Sequence, residues 1–226
     1  MSLRRAFLNL WNEIKMARMM RDSAKSFQAL KGKMGLNVHL GCGQDIKLGW
    51  VNIDLVSKSI PRIDPNAHPD TIFINHDLRI GLPLNNNSCK YIYSSHFFEH
   101  LKYQDGVKLM HDCYRALELG GIFRIAIPNF REIFYAYLCG DWQYFELINA
   151  SKAFPEIERG TETLIDYINY AVYQHGEHRC IYDEEKLILL LHRVGFSSVA
   201  KSLYMDDIDP DSPSRRRYSL YIEAIK

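Results

Sequence analysis

The chain has no apolar stretch of the roughly 18 residues that a bilayer span needs, which excludes a helical membrane protein. It has no CxxC pair. Its five cysteines (Cys42, Cys89, Cys113, Cys139, Cys180) are odd in number and scattered, which excludes a disulfide framework and predicts reduced thiols in a cytoplasmic protein. It has almost no net charge, +1 from 28 basic and 27 acidic residues, so no nucleic-acid partner is expected. With 13 glycines and 8 prolines it is not collagen-like, and it carries no internal repeat. No GxxxxGK(S/T) loop is present, which excludes a P-loop nucleotidase. What is there is a 226-residue chain, 47% hydrophobic, long enough to bury a sizeable core.

The small net charge hides an uneven distribution. Residues 1–33 hold eight lysines and arginines against Glu13 and Asp22, a net of +6. Leu3, Phe7, Leu10, Ile14 and Ala17 recur there at helical spacing, and Gly32 and Gly35 end the stretch. The uninterrupted apolar core and cleavage site of a secretory signal are missing. A basic amphipathic helical arm is therefore expected over 1–35. Three readings of it stay open: peripheral contact with an anionic membrane at its inner face, a seam with a partner or in a homodimer, or packing on its own domain. No motif discussed below lies in the arm, so loss of residues 1–30 is expected to leave ligand binding intact.

Residues 36–226 read as one α/β domain. Short apolar runs at 37–40, 50–56, 71–75, 90–94, 122–127, 197–204 and 218–225 predict seven strands. One helix is predicted over 105–118, stopping at Gly120-Gly121. Another runs from Asp183 as N-cap to Gly195, with Leu187, Leu190, Leu191 and Val194 on one face. Strands alternating with crossovers imply a Rossmann-like, mostly parallel sheet with helices on both faces. An aromatic-rich helical insertion at about 130–175 breaks the rhythm, and 206–217 reads as a polar loop.

The chemistry concentrates in VHLGCGQDIKLGWVNIDLV, residues 38–56. A strand ends in Gly41-Cys42-Gly43, and a second strand ends in Asp54. The glycines let a ligand lie against the backbone, and a carboxylate at the neighbouring strand end accepts both hydrogen bonds of a ribose diol. The plainer reading is a tight turn with a surface acid. A dinucleotide fingerprint would need a third glycine where Ile46 stands, and a helix behind it, which Gly49-Trp50 leaves no room for.

At these residues the chain resembles the class I S-adenosylmethionine-dependent methyltransferases. Within them it is similar to a small bacterial group associated with surface-glycan biosynthesis. The likeness spans roughly 36–129 and 175–226. Gly41, Cys42 and Gly43 match the motif that contacts the cofactor's methionine part, Asp54 (with Leu55) the ribose-binding acid, and Asp77-Leu78 the adenine contact. Ser94 to Leu101, with Ser94, His96 and the Glu99-His100 pair, resembles the fourth motif. Leu119-Gly120-Gly121 resembles the turn before the fifth strand. The resemblance implies a seven-stranded sheet with an antiparallel last strand and S-adenosyl-L-methionine as cofactor. It also implies methyl transfer to an oxygen of a sugar or glycan intermediate. Two other readings remain: a lipid-like or aromatic small-molecule acceptor, or a non-catalytic S-adenosylmethionine-binding regulator.

A hydroxyl is a poor nucleophile until its proton is removed, so a histidine base is expected. His100 ranks first, because it follows the strand beside the glycine turn; His178 ranks second. His175 and Arg179, in HGEHR, and Tyr173, in the stripe Tyr167, Tyr170, Tyr173, are the expected acceptor contacts. For the stripe the alternative is ordinary core. His175-x-x-His178-x-Cys180 suits soft metal ligation, but no fourth ligand or second cluster accompanies it, so no metal is expected.

Overall fold

A computed structural model describes residues 17–56, 63–64, 67–150 and 163–226. Seven strands form one sheet: β1 Leu36–Leu40, β2 Val51–Asp54, β3 Ile72–Asn75, β4 Cys89–Ser95, β5 Leu117–Pro128, β6 Ser198–Ser202 and β7 Ser219–Ile225. Their order is β3-β2-β1-β4-β5-β7-β6. β1 to β5 pair in parallel, and β7 runs antiparallel between β5 and β6. The order reverses between β1 and β4. Loops leaving the carboxyl ends of these two strands diverge, which opens the crevice where ligands bind in open α/β sheets. Gly41–Gly43 and His96–His100 stand at that crevice.

The strands are two-sided. Val38, Leu40, Ile53, Ile92, Phe123, Ile125 and Ile222 belong to one core with side chains of three helices. These are α1 over residues 17–29, α2 Tyr103–Ala116 and α6 Glu184–Val194. Fully burying each such side chain contributes about 1.5–3 kcal/mol. The intervening residues His39, Tyr93, Arg124 and Tyr221 occupy the other face, with Lys47 over the Tyr93 ring and the guanidinium of Arg124 over that of Tyr221. α6 begins and ends as its sequence implies. The Asp183 carboxylate accepts the Lys186 N–H at 2.8 Å, and Gly195, at φ 122°, stops it. Among the described residues no helix is long and apolar enough to cross a membrane.

Three local expectations change. α2 stops at Ala116, and Gly120-Gly121 lies inside β5, not at a helix end. The reason is the chain end. Gly120 N–H donates to the Lys226 carbonyl, Lys226 N–H donates to the Gly121 carbonyl, and a Cβ at Gly121 would sit 2.9 Å from the Glu118 oxygen. The polar loop 206–217 contains a short helix, α7 Pro213–Tyr218. The described part of the arm packs on the domain. Phe27 and Leu30 enter the main core. The Ser23 hydroxyl reaches Nδ1 of His76 at 2.7 Å, and Nε2 of His76 lies 2.9 Å from the Gly81 carbonyl. That carbonyl fixes the tautomer: Nε2–H donates, so Nδ1 accepts from Ser23. His76 directly precedes Asp77, so the arm supports the crevice and removal to residue 30 would disturb it. Most of the arm's apolar stripe, Leu3 to Ile14, lies outside the described residues. Ser23→Ala is expected to cost about 1 kcal/mol, the usual net worth of one such hydrogen bond, in a denaturant titration.

The described residues of the insertion form three helices, α3 Phe130–Leu138, α4 Trp142–Ala150 and α5 Leu164–Tyr173, and residues 151–162 lie outside the described residues. Asn129 caps α3, and a Thr163/Asp166 capping box starts α5. Phe130, Ile133, Phe145, Ile148, Tyr167 and Ile168 form a second, smaller core with Tyr218. This helical lobe stands over the carboxyl edge of β4 and β5.

Candidate active site

The glycine turn is set by β2. Gly41 N–H donates to the Ile53 carbonyl at 2.9 Å, and the Asp54 carboxylate accepts Gly43 N–H and Leu55 N–H, each at 2.6 Å. Gly41 and Gly43 take φ of 64° and 53°, conformations that suit glycine. Between β1 and β2 there are only turns, so the glycine turn does not lead into a helix. The Cys42 thiol is buried, and burial with the nearby Asp54 charge pushes its pKa up to about 12. It is inert as a nucleophile.

Asp54, Leu55, Asp77, Leu78, Phe97 and His100 line a cleft of about 160 Å³ beside this turn. Asp77 faces Arg79, whose Nε and Nη2 reach its two oxygens at 2.8 and 2.7 Å. These hydrogen bonds hold the Asp77 carboxyl below its ordinary range. Phe97 lies across Gly41, where any Cβ would overlap its ring. Only a glycine admits this contact. Asp54→Ala is expected to weaken cofactor binding at least about ten-fold, because hydrogen bonds to a charged group are worth about 1.5–3 kcal/mol each. Calorimetry on the folded variant checks this.

A second cavity of about 210 Å³ lies under the helical lobe, lined by His96, Glu99, His100, Ile133, His178 and Arg215 among others. His100 lines both cavities. The segment Phe98–His100 is a single 3-10 turn after β4. The distant loop 177–180 is clamped to it, because Arg179 N–H and Cys180 N–H both donate to the Glu99 carbonyl, at 2.7 and 3.1 Å. This brings His178 against His100, ring centroids 4.9 Å apart and edge to face. His178 Nδ1 donates to the Ala171 carbonyl at 2.7 Å, leaving the Nε2 lone pair unused by that bond. Burial holds both imidazoles below the ordinary histidine pKa; the Glu177 carbonyl beside His100 and the Ala171 carbonyl beside His178 oppose it. Glu99 is 1% exposed, and burial lifts its pKa to about 8. Its oxygens make no hydrogen bond, although His96 Nδ1 lies 3.4 Å from one of them. At 3.4 Å the contact is an ion pair only when His96 is charged.

The structure redistributes several expected residues. His96, at φ 49°, lines the second cavity and not the cleft, because its Nε2 is drawn to the Ser219 hydroxyl at 2.8 Å. Ser94 is fully buried in β4, its hydroxyl without a partner, and reaches neither cavity. Tyr173 is 62% exposed and stands outside both, since α5 turns Tyr167 and Ala171 inward. His175 contacts Tyr170 edge to face on the exposed turn, and the Arg179 side chain is exposed while its backbone holds Glu99. Sequence reasoning missed Arg215. Its Nη1 is buried without a partner, burial lowers its pKa, and it lines the second cavity. Its one sequence signal, the run Arg215-Arg216-Arg217, does not single it out, and Arg216 is the member that pairs with Asp206, at 2.8 Å.

Residues 38–125 match the sequence model of a family described as a methyltransferase domain. Among curated proteins, none matches the chain. Among solved structures, the chain resembles a SAM-dependent methyltransferase from Archaeoglobus fulgidus at TM-score 0.52 and 17% identity, with both chains covered in full. It also resembles an S-adenosylmethionine-dependent methyltransferase from Mesorhizobium loti at TM-score 0.50 and 20% identity, covering 89% of this chain and 96% of that one. A third is the Haemonchus contortus phosphoethanolamine N-methyltransferase 2, at TM-score 0.53 and 13% identity; the match spans 91% of this chain but 53% of that one. At these identities the structures establish the fold.

Proposed function

We propose that the chain is an S-adenosylmethionine-dependent methyltransferase that moves the methyl group to a hydroxyl of a sugar or sugar-containing acceptor carrying a negative charge. The observation that carries the reading is His100, which lines the Asp54 cleft on one side and the cavity under α3–α5 on the other. Cofactor in the first and acceptor in the second would meet at that side chain. The cavity is smaller than the roughly 300–1,000 Å³ of pockets for drug-sized ligands, so a single sugar-sized unit enters it.

The reaction needs little beyond alignment. An acceptor oxygen attacks the methyl carbon, the carbon–sulfur bond breaks with its electron pair going to sulfur, and neutral S-adenosylhomocysteine remains. The acceptor's proton leaves to the imidazole cluster, His100 ahead of His178. Apolar walls (Ile133, Ile148, Pro128) keep water from competing.

Arg215 specifies the charge. A guanidinium nitrogen buried without a partner is costly, and a phosphate or carboxylate of the acceptor would satisfy it. The sequence offered Arg179 as the anion contact, but that residue is exposed. The test is methyl transfer from labelled cofactor to glucuronate, glucose 6-phosphate and glucose. Transfer to the anionic sugars over glucose is expected, with Arg215→Ala raising their KM about 10–100-fold, the worth of one charged hydrogen bond. Equal use of glucose, or an unchanged KM in Arg215→Ala, would overturn the assignment of charge. No transfer to any sugar, with cofactor bound, would overturn the sugar reading.

A further inference from the structure

We propose that Glu99, His100 and His178 form a binding site for a first-row divalent transition-metal ion at the wall of the acceptor cavity. One ligand-type atom from each of the three lies within 4.8 Å of the others. Glu99 is almost wholly buried and both of its carboxylate oxygens lack hydrogen-bond partners. Buried polar atoms are rarely left so, and a cation is the partner that two empty carboxylate oxygens suit best.

The surroundings are those of a ligand set. His178 gives its Nδ1 proton to the Ala171 carbonyl, which leaves Nε2 as the donor atom; this second contact is the usual way a ligating imidazole is oriented. The Glu99 carbonyl takes two N–H groups from the loop that carries His178, so the two segments are fixed to each other before any ion arrives. Ligands about 2.1 Å from a metal lie roughly 3.4 Å apart in a tetrahedron, so the three groups close by at most about 1.4 Å on binding. Two imidazoles and one carboxylate favour zinc, cobalt, manganese or iron over magnesium or calcium, which prefer oxygen alone. Three protein ligands leave a position open, and the open side faces the acceptor cavity. With the ion bound, His100 and His178 would serve as its ligands and not as the proton acceptor of the metal-free site; the ion would take the acceptor hydroxyl there and lower its pKa, the proton leaving to water. That role rests on the function proposed above; the binding of the ion does not. The competing occupant is His96, whose charged form would pair with Glu99.

The test uses the full-length protein stripped with a chelator and dialysed. Cobalt(II) is titrated by visible absorption and zinc by calorimetry, in wild type and in Glu99→Gln and His178→Gln. The expected result is one equivalent bound by wild type, with affinity at least about ten-fold lower in each variant. Melting curves show whether each variant is folded. If either is not, anomalous scattering at the zinc edge from wild-type crystals decides, by a peak among the three side chains or its absence. Wild type that binds neither ion, or binds them as the folded variants do, overturns the metal site. Cofactor calorimetry runs in parallel: bound cofactor without bound metal removes only this site, whereas loss of cofactor binding in wild type removes the functional reading.

Discussion

His100→Ala is expected to lower methyl transfer by roughly 10²–10⁴-fold while the affinity for S-adenosylmethionine changes little. The expectation follows from position. Asp54, Leu55, Asp77 and Leu78 line the cleft beside His100, and of these five only His100 also lines the second cavity. A side chain between two ligands acts on the step that joins them. His100 is also packed edge to face on His178, so its removal leaves the second imidazole without its neighbour. His178→Ala is expected to show the same pattern with a smaller loss. Single-turnover kinetics separates the step from binding. If turnover in His100→Ala stays near normal while His178→Ala loses it, the ranking reverses. If neither matters, transfer runs on alignment alone, and a nitrogen acceptor replaces the sugar oxygen.

The sheet and the glycine turn were legible because their signals are local. Gly41-x-Gly43 follows a strand within the same ten residues, and Asp54 ends the next, so the pair that meets at 2.6 Å is close in the chain as well. The second cavity was legible only in part. His178 is 78 residues from His100, and what joins them is two backbone N–H groups on the Glu99 carbonyl, a bond to which side-chain identity contributes nothing. The neighbours His175 and Arg179 share its motif, yet the backbone turn at Gln174 and His175, with φ of 39° and 53°, sends them outward. Glu99 was visible as half of a Glu-His pair, but its burial is a tertiary fact. Gly120-Gly121 misled for the opposite reason: a glycine pair stops a helix often enough that its use inside a strand, against the chain end, has no distinct mark in the sequence.

Asp209→Ala is expected to destabilise the protein by about 3–5 kcal/mol, the cost of leaving a buried charge without its partner. The site is the Arg124 guanidinium on the face of the sheet opposite the main core. Nε and Nη2 meet the two Asp209 oxygens at 3.1 and 2.5 Å, with both side chains fully buried. Nη1 reaches Glu223 at 3.1 Å and the Ser202 hydroxyl at 3.0 Å, and Nη2 also donates to the Leu203 carbonyl at 2.7 Å. Asp209 in turn accepts Met205 N–H at 2.8 Å, so the pair ties the loop after β6 to β5. That loop leads into α7 and Arg215. For a chain of this size the loss corresponds to a fall of about 6–20 °C in Tm. Glu223 is 30% exposed and cannot replace the buried partner. Asp209→Asn keeps most of the hydrogen bonds and is expected to cost less. The double variant Arg124→Met, Asp209→Leu is expected to recover much of the loss, because the penalty belongs to the uncompensated charge and not to the absence of the pair. If the double variant melts as low as Asp209→Ala, the loop is held by the individual hydrogen bonds, and charge pairing is incidental to its stability.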